Sequence, residues 1–153
     1  MSVFAELDID PLHPDAALIA RGVTRLFGEL AWTSVTELTL ANRRRADICA
    51  LGPNGDIAIV EIKSSVADFR SDAKWPDYQP YCDRFYFAVG HTFPQDLIPE
   101  NVGLIVADGF GGAILRESSE TLLKAARRKA MMLRFAHAAA GRLMRLDGRA
   151  APD

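Results

Sequence analysis

Cysteine is nearly absent from this chain. Cys49 and Cys82 are the two in 153 residues, too few for a disulfide framework and in no zinc-binding spacing; both read as small buried hydrophobes. The three histidines, His13, His91 and His137, are scattered and fit no metal motif, and His137 reads as a satisfied core histidine. No apolar run approaches the roughly 20 residues of a membrane-spanning helix. The start, Met1 to Glu6, lacks the basic stretch and apolar core of a signal peptide, so a cytoplasmic protein with no membrane association is expected. An excess of charge is also missing, the formal net charge being −2. What is present is the composition of a soluble globular domain, 49% hydrophobic and 25% charged, at a length suited to one core. The charge is unevenly placed. Glu6, Asp8, Asp10 and Asp15 make the beginning acidic, whereas from Arg116 to Arg149 nine Lys/Arg stand against Glu117, Glu120 and Asp147. Such asymmetry gives a nearly neutral protein a basic face.

Residues 1–14 read as an acidic surface arm, 15–147 as the folded domain and 148–153 as a tail. Asp15 can cap a helix running to about Leu30, with Leu18, Ile19, Val23, Leu26, Phe27 and Leu30 on its inner side. Strands are expected at 33–40, 44–51 and 57–63, the last two joined by the turn Gly52-Pro53-Asn54-Gly55-Asp56. Ser65-Val66-Ala67-Asp68 has the form of a capping box for a helix reaching Lys74 or Trp75, where Pro76 stops it. Short apolar strands follow at 84–89 and 102–107, then an edge strand at 113–116. A long helix is expected over about 119–145. This order predicts an α/β protein: a helix crossing over after the third strand delivers a parallel fourth, making a central mixed sheet flanked by helices.

The chemistry concentrates on the second and third strands. Residues two apart on a strand share a face, so Glu61 and Lys63 project together while Val60 and Ile62 point the other way. Asp47, across the hairpin, can sit opposite them. Two converging carboxylates suit a hard divalent cation such as magnesium, and a lysine beside them can position water or offset developing negative charge. The bland alternative is an ion-pair cluster at a sheet edge. It fits poorly, because the apolar run Ile57–Val60 marks a buried strand, where unpaired charge is costly.

With its flanks, the pattern gains a family likeness. Asp47 followed by Glu61-Ile62-Lys63 on consecutive strands resembles the PD-(D/E)xK nuclease superfamily. Arg44-Arg45-Ala46-Asp47, Val60 to Ser65, Asp68-Phe69, Asp72, Lys74-Trp75, Tyr78 and Tyr81 to Val89 together resemble the MmcB family of bacterial DNA repair proteins. Gly103 to Asp108, Arg116-Glu117 and Arg127 to Ala130 extend the likeness over roughly residues 15–145. It implies a restriction-endonuclease-like fold with a long C-terminal helix, and a DNA repair protein acting on damaged or structured DNA, with other repair proteins as further partners. Asp47, Glu61 and Lys63 would be catalytic. Asp47, Glu61 and the Ile62 carbonyl would hold Mg²⁺ or Mn²⁺. For a further acidic ligand Asp15, Glu29 and Glu37 are alternatives, Glu37 fitting the family's pattern best. The same resemblance leaves a second reading, a catalytically inactive nuclease fold that binds DNA or a partner within a repair complex.

Candidate DNA contacts are Arg43 and Arg45, which share a side with Asp47; Lys74 and Tyr78, after the Glu-x-Lys strand; and Arg127 and Arg128. The last two belong to a stripe with Lys124, Arg134, Arg142 and Arg145, opposite Leu122, Ala126, Ala130, Leu133, Ala140 and Met144. The stripe reads either as the solvated face of a docked amphipathic helix or as a track for a phosphate backbone. Trp75 and Tyr81 read as core anchors.

Overall fold

The computed structural model describes residues 15–152. The expected arm at 1–14, His13 within it and the final residue of the tail lie outside the described residues. Asp15 caps the first helix, its carboxylate accepting from the Leu18 N–H, and α1 runs Ala16–Glu29. It turns Ile19, Val23, Leu26 and Phe27 inward, as its period dictates. Leu30 lies past the last turn and is exposed. Six strands follow: β1 (Thr33–Thr39), β2 (Arg45–Leu51), β3 (Ile57–Lys63), β4 (Arg84–Val89), β5 (Gly103–Ala107) and β6 (Gly112–Arg116). They lie in chain order in one sheet. The pairs β1–β2, β2–β3 and β5–β6 are antiparallel, and β3–β4 and β4–β5 are parallel. The sheet is therefore mixed, the arrangement expected of a nuclease-like fold.

Two cores cover its two faces. Against one, α1 packs Ile19, Val23, Leu26 and Phe27 on Ile48, Val60, Ile62, Tyr86 and Ile105. The helix comes so close to the β5–β6 turn that a Cβ on Gly22 would sit 2.0 Å from the Asp108 carbonyl oxygen. The other face holds Ile57, Ile59, Phe85, Phe87, Val89 and Leu104 beneath Tyr78, Met131 and Phe135. All seven residues of β3 are consequently buried. The face carrying Glu61 and Lys63 is thus itself a core face in its first half, because parallel crossovers cover a sheet on both sides.

Two helices differ from expectation. The helix after β3, α2 (Val66–Ser71), is capped by the Ser65 hydroxyl, as expected, but ends several residues early. The Asp72 carboxylate takes the Lys74 and Trp75 N–H groups, and the chain turns into a 3₁₀ segment, Trp75–Tyr81. Pro76 and Pro80 suit that segment, since neither needs an amide partner. The last helix, α3 (Ala125–Leu146), starts later than residue 119. The preceding stretch docks beside β4: Thr121 N–H donates to the Asp83 carbonyl, Leu123 N–H to the Asp83 carboxylate, and the Ser118 hydroxyl accepts from Phe85 N–H.

α3 is also rotated relative to the amphipathic expectation. On the side of its basic stripe, Met131 and Phe135 are buried against the body of the protein, while Lys124, Arg127, Arg134 and Arg145 stay exposed. Arg128 reaches the Gly55 carbonyl, Arg134 that of Thr39 and Arg142 that of Glu37. Leu122 and Leu133, expected inside, are exposed, and so is His137. Arginines can bury their stems and spend their guanidinium donors on carbonyls at loop and strand ends, so a basic stripe need not face solvent.

Candidate active site

The antiparallel ladder between β2 and β3 runs from Leu51↔Ile57 to Ile48↔Val60 and stops. Continuing that register would place Asp47 opposite Glu61. There the two strands exchange side chain for backbone: the Asp47 N–H donates to Glu61 Oε1 at 3.0 Å, and the Ile62 N–H donates to Asp47 Oδ2 at 2.8 Å. The carboxylates therefore stand where ladder carbonyls would be, and each is held by the other strand's main chain. On the far side of β2, Glu37 interrupts the β1–β2 ladder between Thr36↔Ile48 and Leu38↔Ala46. Its φ of 51° is left-handed, a conformation that costs a non-glycine residue about 1 kcal/mol or more and that clusters at functional sites.

A cleft of about 610 Å³ opens at this point, lined by Ala16, Ala17 and Ala20 of α1 together with Thr36, Glu37, Asp47, Glu61, Ile62, Lys63 and Asp68. The five residues expected around a metal or in catalysis, Glu37, Asp47, Glu61, Ile62 and Lys63, thus border one space. Of the alternatives to Glu37, neither Asp15 nor Glu29 lines it. The small side chains of α1 leave the room, and Thr36 and Asp68 are polar members that the sequence did not assign to the site.

Charge in the cleft is unbalanced. Glu61 is 5% exposed, and burial, then the neighbouring Asp47 carboxylate, push its carboxyl up to about 9. Asp47 is also raised, by burial first, against the lowering effect of the Ile62 N–H. Two close carboxyls in a poorly hydrated setting resist double ionisation. Lys63 lines the cleft, but its ammonium is already engaged: Nζ lies 2.7 Å from Asp72 Oδ2 and 3.9 Å from Asp68 Oδ1. Asp72 is held below the usual carboxylate range although burial alone would raise it, because Lys63 and the Lys74 and Trp75 amides outweigh that effect. The Asp72 partnership was missed in the sequence; its signal was an aspartate one helix beyond the lysine.

Among the described residues no three His, Cys, Asp or Glu side chains gather closely enough to cage a metal by themselves. The donor set expected from the sequence, Asp47 and Glu61 with the Ile62 carbonyl, would instead be two carboxylates and one backbone oxygen, from three residues that line the cleft. That set suits magnesium, which keeps several waters and takes one or two carboxylates along with substrate oxygens. A divalent cation would also relieve the two raised carboxyls, so the residues fit the ion.

The expected DNA contacts disperse. Arg43 and Arg45 are exposed on and just after the β1–β2 turn, Lys74 is exposed, and none of the three lines the cleft. Tyr78 is 7% exposed, and its hydroxyl donates to the Arg45 carbonyl, so its ring is part of the core rather than a platform for a base. Arg128 is committed to Asp83, both oxygens of which it meets at 2.7 Å, and does not present its guanidinium to a ligand. Arg127 is exposed, lies 4.3 Å over the Tyr81 ring and donates to the Pro80 carbonyl. Trp75 stacks on Phe85 as a core anchor.

Comparison with known proteins agrees with this architecture. The solved structure of a protein of unknown function from Silicibacter pomeroyi is 41% identical, covers 92% of this chain and 93% of its own, and superposes with a TM-score of 0.85. No curated protein matches. The description "DNA repair protein MmcB-like" matches residues 9–150. Over nearly its whole length, then, the chain belongs to the MmcB-like family of DNA repair proteins.

Proposed function

We propose that the cleft hydrolyses phosphodiester bonds of damaged or structured DNA with the help of Mg²⁺ or Mn²⁺. The observation that carries the reading is the break in the β2–β3 ladder, which seats the Glu61 carboxylate on the Asp47 amide and the Asp47 carboxylate on the Ile62 amide, beside Lys63. Asp47, Glu61 and the Ile62 carbonyl would hold the ion; when bound, it supplies Lewis acidity and a water of lowered pKa. The protein's own groups do the rest. The main-chain donors fix both carboxylates before substrate arrives, so little reorganisation is needed. Lys63 is held in place by Asp72 and retains donors for a phosphoryl oxygen or an attacking water. The α1 alanines leave space for the sugar-phosphate chain.

The test is cleavage of branched, single-stranded or damaged DNA by the purified protein in Mg²⁺ or Mn²⁺, with EDTA as control. Glu61→Gln and Lys63→Ala should each lower turnover by roughly two orders of magnitude, the usual loss for one charge contact to a transition state. In EDTA, Glu61→Gln should bind DNA about as tightly as the wild type, since the metal-free Glu61 carboxyl already holds its proton up to about 9. A second reading, a DNA- or partner-binding module without turnover, draws on the engagement of Lys63 by Asp72. It becomes the better account if the wild type binds these DNAs in both Mg²⁺ and EDTA yet cuts none.

A further inference from the structure

A second cavity, about 730 Å³, lies between the edge strand β1 and the C-terminal half of α3. Arg134, His137, Arg142 and Arg145 line it from the helix, and Glu37, Leu38 and Thr39 from the strand. Glu37 also borders the carboxylate cleft, so the two cavities meet at this left-handed residue. Among the described residues three arginines and one acid line the groove, the acid standing at the junction. The guanidinium groups are anchored by carbonyls: Arg134 Nη1 on Thr39, Arg142 Nη2 on Glu37 and Arg145 Nη2 on Pro152. These bonds use one nitrogen of each fork and orient the rest, and among the described residues no carboxylate is paired with any of the three.

We infer that this groove holds the sugar-phosphate backbone of one DNA strand and leads it past Glu37 to Asp47 and Glu61. The inference rests on the nuclease reading of that cleft, of which the groove would be the substrate track. Several observations favour a phosphate chain. Pre-oriented arginines with unused donors suit phosphate oxygens, and their positions at 134, 142 and 145 follow one side of a helix that rises about 1.5 Å per residue. The groove is too small for a duplex to enter. It carries no aromatic platform beyond His137, so contact with the backbone rather than base stacking would dominate, and recognition would be independent of sequence. The DNA contact on α3 would then be its C-terminal half; Arg128, occupied by Asp83, has another role.

The experiment measures binding of a fluorescent single-stranded oligonucleotide by anisotropy across a salt series, in EDTA so that no cleavage intervenes. If three arginines meet three phosphates, Arg134→Gln/Arg142→Gln/Arg145→Gln should weaken binding at low salt. It should also flatten the slope of log affinity against log salt by about 2, at ~0.7 per phosphate on a single strand. Because Arg142 also holds the Glu37 carbonyl, Arg142→Lys and Arg145→Gln are measured singly and each variant's melting is followed. Lysine should retain most of the affinity, whereas Arg145→Gln should lose about one phosphate's share of the slope. An unchanged slope in a folded triple variant, or no binding by the wild type, overturns the groove. Binding that depends on the groove without turnover in Mg²⁺ or Mn²⁺ supports the track and removes the nuclease reading instead.

Discussion

Glu61 stands out among single residues because its folded and unfolded states disagree about a proton. Unfolded, it ionises near its ordinary 4.5; folded and metal-free, it holds the proton to about 9. Between those values the unfolded chain binds fewer protons than the folded one, so stability falls as pH rises, by up to about 1.4 kcal/mol per unit. Glu61→Gln keeps an acceptor for the Asp47 amide and abolishes the titration. In EDTA the melting temperature of the variant should exceed that of the wild type by a margin that widens from about pH 5 to pH 9 and vanishes in acid. Parallel melting curves across that range would mean that the carboxyl is not raised. Asp72 calls for a different measurement. Asp72→Asn should leave the fold intact but slow cleavage more than it weakens DNA binding, since the ammonium of Lys63 loses its nearest anchor. Equal losses in both would assign Asp72 to general integrity of the 72–75 turn.

At the scale of elements, α3 is fastened at two kinds of point. Phe135 is 9% exposed and Leu133 is 51% exposed, so Phe135→Ala should cost about 3–5 kcal/mol, while Leu133→Ala should stay within roughly 0.5. Urea denaturation distinguishes them, and comparable losses would mean that the helix is rotated from the orientation described. The polar fastening is Arg128 on Asp83, whose carboxylate also receives the Ile57 and Leu123 amides. Burial would raise Asp83, but Arg128 and those amides outweigh it and hold the carboxyl below its ordinary range. Its stabilising contribution is therefore present above the unfolded pKa and is lost as pH falls through the lower folded one. Arg128→Ala strands a buried carboxylate and should cost about 3 kcal/mol, whereas Arg127→Ala, an exposed cation over the half-buried Tyr81 ring, should cost about 1 or less. Charge reversal at Arg128 would consequently report on folding before it reported on DNA.

For the whole molecule, the useful quantity is how ligand binding couples to folding. An ion that binds only the folded protein stabilises it by about 2.7 kcal/mol at 100 times its dissociation constant. Mn²⁺ should therefore raise the melting temperature of the wild type, and more so at pH 8 than at pH 6 because binding displaces a proton. Glu61→Gln should abolish the rise. A pH-independent rise that survives in the variant would place the ion elsewhere. No described helix is long and apolar enough to cross a membrane, and the mixed sheet keeps both its faces covered by helices and loops.

Local sequence determined much of this. Alternation and turn residues set the β2–β3 hairpin, Asp15 and Ser65 set their helix starts, and strand parity put Glu61 and Lys63 on one side, because each depends on neighbours within a few residues. The Asp47 and Glu61-Ile62-Lys63 pattern was legible for the same reason: two strands joined by a short turn have little freedom in how they pair. Contacts made across the fold were not legible. That Lys63 leans on Asp72, that Tyr78 is buried with its hydroxyl on Arg45, and that Arg128 is claimed by Asp83 all depend on where the 72–81 segment and α3 come to rest. The orientation of α3 is the clearest case. Helical period identified its two sides, but a basic side whose guanidiniums find carbonyls and an apolar side can both face a protein body. Only the tertiary arrangement, through Met131, Phe135 and the carbonyls of Glu37, Thr39 and Gly55, decided between them.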